Sequence, residues 1–232
     1  MTVPWFAATP APADLRAHTS EQEPSAGVAA GAPREPAGTP GSRPAVFLDR
    51  DGVLNELVVD LFSGAGESPL AVADVRLVAG AAAAAHALAR MGFTLICVSN
   101  QPAAAKGRVS VEQLLAVHER VLELLACEGV RLDASRLCLH HPDGVLPELS
   151  GPCACRKPAP GMLLDAARAL DIDLGASWMV GDTDADIRAG RAADCRTLLI
   201  EHHGSIHKRQ QAVRPDLSAA DLALAVEQLR GA

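Results

Sequence analysis

Four short strings in this chain combine residue types that do chemistry with a spacing that brings them together. In the first, Asp49 and Asp51 stand two positions apart at the end of the apolar run Val46-Phe47-Leu48, with Gly52 and Asn55 just beyond. Two carboxylates leaving one strand end repel each other in a dry crevice unless a cation lies between them. Mg2+ suits that place, being a hard ion held by few carboxylates together with water and phosphate oxygens. Asp and Gly are equally at home in a plain turn after a strand, which is the alternative for this string taken alone. In the second, Ser99-Asn100-Gln101 closes another apolar run, with Lys106 and Gly107 downstream. A hydroxyl and amides at such an end can hold phosphate oxygens or cap a helix. In the third, Cys155-Arg156-Lys157-Pro158 sets two cations ahead of a helical stretch, and Lys157 is one of three lysines (with Lys106 and Lys208) among 21 basic residues. A compact ammonium kept in an arginine-rich chain fits contact with a single oxygen. In the fourth, Met179-Val180-Gly181 runs into Asp182, Asp184 and Asp186.

A separate set is soft rather than hard. Cys138-Leu139-His140 and Cys153-Ala154-Cys155 offer three thiolates and an imidazole, a closed tetrahedral set of the kind that holds a structural Zn2+. The intervening stretch contains Pro142, Gly144, Pro147, Gly151 and Pro152, so little regular structure is available to order it, and a metal at its base would supply that order. Coincidental cysteines are the alternative.

These strings need a scaffold that presents strand ends side by side. Short apolar runs at 45–48, 93–98, 137–139, 178–180 and 197–200 read as buried strands. They alternate with helical patterns at 80–91, 110–127, 160–170, 184–191 and 218–230. Ser110 caps the second helix and Pro160 opens the third. The alternation predicts an α/β fold, a Rossmann-like parallel sheet with helices on both faces, whose ligands sit beyond the carboxyl ends of the strands. Residues 1–43 differ in kind, with seven prolines set among Ala, Gly and Ser, and are expected to be a disordered tail. Trp5 and Phe6 are its only candidate docking anchor. The folded core is then expected over 44–232.

Composition excludes several classes. A formal net charge of −7 argues against sequence-independent binding to nucleic acid, which depends on Lys and Arg against phosphates. No segment has the roughly 18 uninterrupted apolar residues of a membrane span, and the N-terminus has no basic region ahead of an apolar core, so neither a membrane anchor nor a secretory signal is expected. Six cysteines in 232 residues, three of them scattered through apolar patterns, fit a reducing, cytoplasmic setting better than a disulfide framework. A monomer is expected.

Taken in order, Asp49-x-Asp51-Gly52-Val53, Ser99, Lys157 and Gly181-Asp182-x-x-x-Asp186 resemble the four motifs of the haloacid dehalogenase superfamily, over roughly 45–200. The Cys-Arg-Lys-Pro string with its preceding Cys-x-His is similar to the branch of small sugar-phosphate and histidinol-phosphate phosphatases. The resemblance implies a nucleophile at Asp49 that forms an aspartyl-phosphate, and a general acid, then base, at Asp51. It implies phosphoryl contacts from Ser99 and Lys157, and a Mg2+ site from Asp49, Asp182 and the Asp51 backbone carbonyl with Asp186 in support. Cys138, His140, Cys153 and Cys155 become the Zn2+ ligands, and Asn100 and Arg156 substrate contacts, Arg156 toward a second phosphate or the sugar. The 48 positions from Asp51 to Ser99 leave no room for a large cap domain. The 12 residues between His140 and Cys153 resemble the longer loop of heptose-bisphosphate phosphatases. The expected substrate is therefore a small phosphorylated sugar, D-glycero-D-manno-heptose 1,7-bisphosphate cleaved at its 7-phosphate. Histidinol phosphate or another small sugar phosphate is the alternative, and a zinc-bearing binding module on a phosphatase core is the non-enzymatic one. Three stretches depart from the pattern: 56–60, 101–107 and Thr183, all at expected substrate contacts.

Overall fold

The computed structural model describes residues 6–8, 42–60, 64–210 and 213–231. The chain runs through β1 (Phe6–Ala8), β2 (Ala45–Leu48), a hairpin of β3 (Val58–Val59) and β4 (Gly66–Glu67), then α1 (Ala81–Arg90) and β5 (Thr94–Asn100). It continues with α2 (Val111–Cys127), β6 (Ala134–Cys138), α3 (Gly161–Leu170), β7 (Trp178–Gly181) and α4 (Asp184–Ala192). β8 (Arg196–Ile200), β9 (Leu217–Ala219) and α5 (Leu222–Arg230) complete it. The main sheet has the order β1-β6-β5-β2-β7-β8-β9, parallel throughout except for the antiparallel edge strand β1.

Why helices cover both faces follows from the pleat of β2. Side chains on a strand alternate between faces, and all four residues of β2 are buried. Val46 and Leu48 join a core with Leu95, Cys97, Trp178 and Val180 under α1, α2 and α5. Ala45 and Phe47 join the opposite core with Ile96, Val98 and Met179 under α3 and α4. A third apolar cluster, with Ala103, Ala104, Ala105, Leu114, Leu139 and Leu149, lies under the loop that follows β6.

Most predicted elements appear close to their expected bounds, and two are corrected. The third strand begins at Ala134 rather than 137, because Ser135 and Arg136 are buried in spite of their polarity, Arg136 through a 2.6 Å ion pair from its Nε to Asp165 on α3. The closing helix begins at Leu222 rather than 218: Leu217–Ala219 pair with β8, and the Asp221 carboxylate accepts from Leu224 N at 2.8 Å to start the helix. Between β2 and β5 the described residues hold only the hairpin, the 3-10 turn Val72–Asp74 and α1, in keeping with the absence of a large cap. Within the segment expected to be a tail, Phe6–Ala8 pair with Ser135–Leu137 on the sheet edge, and 1–5 and 9–41 lie outside the described residues. No helix among the described residues is long and apolar enough to cross a membrane.

Candidate active site

The ends of β2, β5 and β7 deliver the polar strings to one place. Asp49 follows β2 and its backbone N donates to Val180 O of β7 at 2.9 Å, which seats it between the two strands. Its Oδ1 accepts from Arg50 N at 2.6 Å and lies 3.0 Å from Lys157 Nζ. The same ammonium lies 2.6 Å from Asp186 Oδ1 and donates to Val98 O at 2.8 Å, so one cation serves two carboxylates and a carbonyl.

Lys157 is held in turn by Asn100. Asn100 Nδ2 donates to Lys157 O at 2.9 Å, and Asn100 Oδ1 accepts from Lys157 N at 3.0 Å. The sequence expectation puts Asn100 on the substrate; here both ends of its amide are engaged by the backbone of Lys157. Ser99 is buried beside it, and its Oγ accepts from Gln101 Nε2 at 3.0 Å.

Asp182 follows β7 and is 2% exposed. Gly52 approaches it closely: its φ of +82° is the left-handed region, and a Cβ there would run into the Asp182 carboxylate. Asp186 sits in the first turn of α4, where its Oδ2 accepts from Thr183 N at 3.0 Å and Thr183 Oγ1 at 2.6 Å, capping the helix. A Cβ at Gly181 would collide with the Asp186 side chain, so the close approach of strand and helix needs glycine there. One carboxylate oxygen from each of Asp49, Asp182 and Asp186 lies within 4.8 Å of the others. The Asp51 carboxylate is outside this group. Arg50, wholly buried, donates to it through Nε and Nη2 at 3.1 Å each, Asn55 Nδ2 donates at 2.9 Å and Gln101 Nε2 at 2.6 Å.

The electrostatics follow. Three buried carboxylates face one ammonium, so ionising all three would leave two negative charges unbalanced. Burial pushes the Asp49 carboxyl up to about 6, against the pull of Lys157 and with the push of Asp186 and Asp51. Burial, then Asp49 and Asp186, push Asp182 up to about 8. Burial would lower Lys157, but Asp186 and Asp49 outweigh it and hold the ammonium above its ordinary range. Asp51 goes the other way: burial would raise it, and Arg50, Asn55, Ser68 and Gln101 together keep it below the usual carboxylate range. A hard divalent cation among Asp49, Asp182 and Asp186 matches both the donor set and the missing charge.

The soft set also converges. Cys155 Sγ lies 3.1 Å from Cys138 Sγ, 3.3 Å from Cys153 Sγ and 3.3 Å from His140 Nδ1, and Cys138 Sγ lies 3.7 Å from Cys153 Sγ and 3.8 Å from His140 Nδ1. The edge of a tetrahedron with Zn–S bonds of ~2.3 Å is ~3.8 Å, so these spacings fit one small ion at the centre. Without a cation the thiols resist joint ionisation: the Cys155 thiol is pushed up by its hydrogen bond to Cys138 and by burial. Arg156, half-buried, donates from Nη1 to His140 O at 3.2 Å, tying this loop to the Lys157 segment.

Sequence reasoning missed four supporting residues. Arg50 and Asn55 lie inside a string already singled out but have no role read from them, and Gln101 is read there as an amide for phosphate oxygens or a helix cap, not as a partner of Asp51; Ser205, whose buried hydroxyl donates to Asp182 Oδ2, lies 23 positions away in a segment with no pattern to mark it.

A parallel sheet with carboxylates at the ends of two central strands, an ammonium between them and a hydroxyl alongside defines the haloacid-dehalogenase-like class of hydrolases. Residues 154–225 match the family model described as HAD-hydrolase-like. A D-glycero-beta-D-manno-heptose-1,7-bisphosphate 7-phosphatase of Yersinia pestis is 42% identical over 163 residues, 70% of this chain and 82% of that protein. A D-glycero-D-manno-heptose-1,7-bisphosphate 7-phosphatase of Thermosynechococcus vestitus is 40% identical, over 80% of this chain and 94% of that one. Among solved structures, the D,D-heptose 1,7-bisphosphate phosphatase of B. bronchiseptica complexed with magnesium and phosphate superposes with a TM-score of 0.67 at 30% identity, covering 81% of this chain and 98% of that one. The chain belongs to the haloacid-dehalogenase-like family of these heptose-bisphosphate phosphatases, and it is a phosphatase.

Proposed function

We propose that this phosphatase depends on Mg2+ and removes the 7-phosphate of D-glycero-D-manno-heptose 1,7-bisphosphate through an aspartyl-phosphate on Asp49. The observation that carries the reading is the Asp49 carboxylate at the end of β2, paired at 3.0 Å with a buried ammonium and surrounded by more negative charge than that ammonium balances. The Asp49 carboxylate attacks phosphorus as the bond to the sugar oxygen breaks, and Asp51 gives the departing oxygen its proton. Asp51 then takes a proton from the water that hydrolyses the acyl phosphate, which restores Asp49. To act as the acid Asp51 must first leave the donors that keep it ionised and take up a proton from solvent; to act as the base it must leave them only. Ser99 and Lys157 meet the phosphoryl oxygens, whose transfer rests on positioning and charge stabilisation. Asp49, Asp182 and the Asp51 backbone carbonyl would hold Mg2+, which when bound neutralises the charge that otherwise keeps a carboxylate from approaching a phosphate.

Cys138, His140, Cys153 and Cys155 are assigned to a structural Zn2+ that orders the loop beside the site. Arg156, on the edge of that loop, supplies a guanidinium for a second phosphate, to which bidentate recognition is suited. The name carried by the relatives and the 12-residue loop between His140 and Cys153 support the heptose bisphosphate. The domain doing this is 44–232, with 1–43 an appended tail.

Asp49→Asn should abolish phosphate release while the protein remains folded by circular dichroism; full activity in that variant would overturn the mechanism. Phosphate release from both anomers of the heptose bisphosphate, histidinol phosphate and fructose 1,6-bisphosphate tests the substrate. A heptose anomer should have the highest kcat/KM. Histidinol phosphate ahead by more than about tenfold, ~1.4 kcal/mol of transition-state discrimination, would overturn the sugar and leave the phosphatase.

A further inference from the structure

We propose that Ser205 is a positioning residue for Asp182, holding the orientation of a carboxylate that the reading above assigns to the divalent ion, so the inference rests on that reading. Ser205 is wholly buried and its Oγ donates to Asp182 Oδ2. The bare backbone of Gly52 approaches the same carboxylate oxygen: a Cβ there would meet Asp182 Oδ2 and come within 3.5 Å of the Ser205 hydroxyl. Asp182 Oδ2 is therefore met by a glycine that makes room for it and by a serine that supplies it with a donor. A carboxylate held by one oxygen is a ligand of fixed direction, and groups that orient ligands in this way tune affinity as much as the ligands do.

The turn that carries Ser205 is itself braced. It is the 3-10 segment His203–Lys208 beyond β8. Ser205 N donates to His202 O at 3.2 Å, Arg209 Nη2 donates to the same oxygen at 2.8 Å, and Lys208 Nζ donates to Gly66 O at 3.0 Å. The Gly66 contact fastens the turn to the hairpin that follows Asp49 and Asp51. None of this bracing would be needed to leave a serine in a solvent loop.

The test is Mn2+ binding followed by electron paramagnetic resonance on the full chain, with no substrate present. Wild type should bind Mn2+ and Asp182→Asn should lose it. Ser205→Ala should weaken it about tenfold or more, the worth of a hydrogen bond to a charged group, and Ser205→Thr, which restores the hydroxyl, should recover most of it. At saturating Mg2+ the KM of Ser205→Ala should stay at the wild-type value, since Ser205 touches the ligand and not the sugar. Should Ser205→Ala not fold, Ser205→Cys, nearly the same shape with a weak donor, takes its place with the same expectation. Mn2+ affinity within twofold of wild type in the hydroxyl-less variant overturns the positioning role while leaving the metal site standing. Absence of Mn2+ binding in wild type overturns the metal site and the inference with it.

Discussion

Lys157 spends its ammonium on Asp49, Asp186 and the Val98 carbonyl, three acceptors spread around one point. A planar guanidinium could not meet them from the same place, which accounts for a lysine in a chain that otherwise prefers arginine. The candidate residues that converge at the strand ends were legible in the sequence because carboxylates, thiols and a rare lysine there are few and regularly spaced. Their supports were not. Arginine is seldom wholly buried, so nothing marked Arg50 as the partner of Asp51, and an amide such as Asn100 has the same appearance whether it meets a ligand or a backbone. His118 on α2 shows the same limit and allows a prediction. It is 2% exposed, and neither ring nitrogen has a hydrogen-bond partner among the described residues. Burial first, then the nearby Arg50, pull it down to about 3, with only Asp51 opposing. The folded state therefore resists a proton that the unfolded chain accepts near its ordinary value of about 6.5. The stability this contributes is complete above that value and is lost as the pH falls toward 3. Urea unfolding at pH 7 and pH 4.5 should show wild type losing more stability than His118→Leu, by about one to a few kcal/mol. Equal losses would show that His118 does not set the acid limit.

At the scale of elements, the loop after β6 is the piece least able to order itself. Its backbone is pinned at a few points, among them His141 N to Leu149 O at 3.0 Å and Val145 N to Ala105 O at 2.6 Å, and its base is the cysteine and histidine set. Protein purified without added metal should carry about one zinc per chain by elemental analysis, as four ligands in one tetrahedron require. Cys153→Ala should lower the unfolding midpoint first and activity second, because the ligand set lies beside the Arg156-Lys157 segment and not on the reacting atoms. Metal-free protein with an unchanged midpoint would remove zinc from the account. Strands and helices with clean apolar patterns were legible within a residue or two. The start of β6 was not, since Ser135 and Arg136 look like loop until Asp165 on α3 is known to pair with the arginine. Nor was β9, because a three-residue strand carries less pattern than the helix it precedes.

For the whole molecule, parallel strands with helices on both faces followed from alternation alone, whereas the order of strands did not, being set by contacts between segments far apart in the chain. Every residue of the proposed site lies between Asp49 and Ser205, and among the described residues β1 pairs within the sheet with β6. A chain beginning at Ser42 should therefore keep the wild-type kcat within about twofold. Its exposed β6 edge should show as concentration-dependent association in sedimentation, an unpaired strand edge being a template for another chain; loss of activity in the monomeric truncated protein would give the N-terminal segment a place in the site. The pleat of β2 has one more consequence, for the gene rather than the protein. Because Ala45 and Phe47 serve one core and Val46 and Leu48 the other, a single codon gained or lost inside this strand would exchange the faces of the residues beyond it and turn Asp49 with them. In-frame insertions and deletions that the hairpin at 58–67 could absorb would therefore be lethal to both stability and chemistry a few codons upstream.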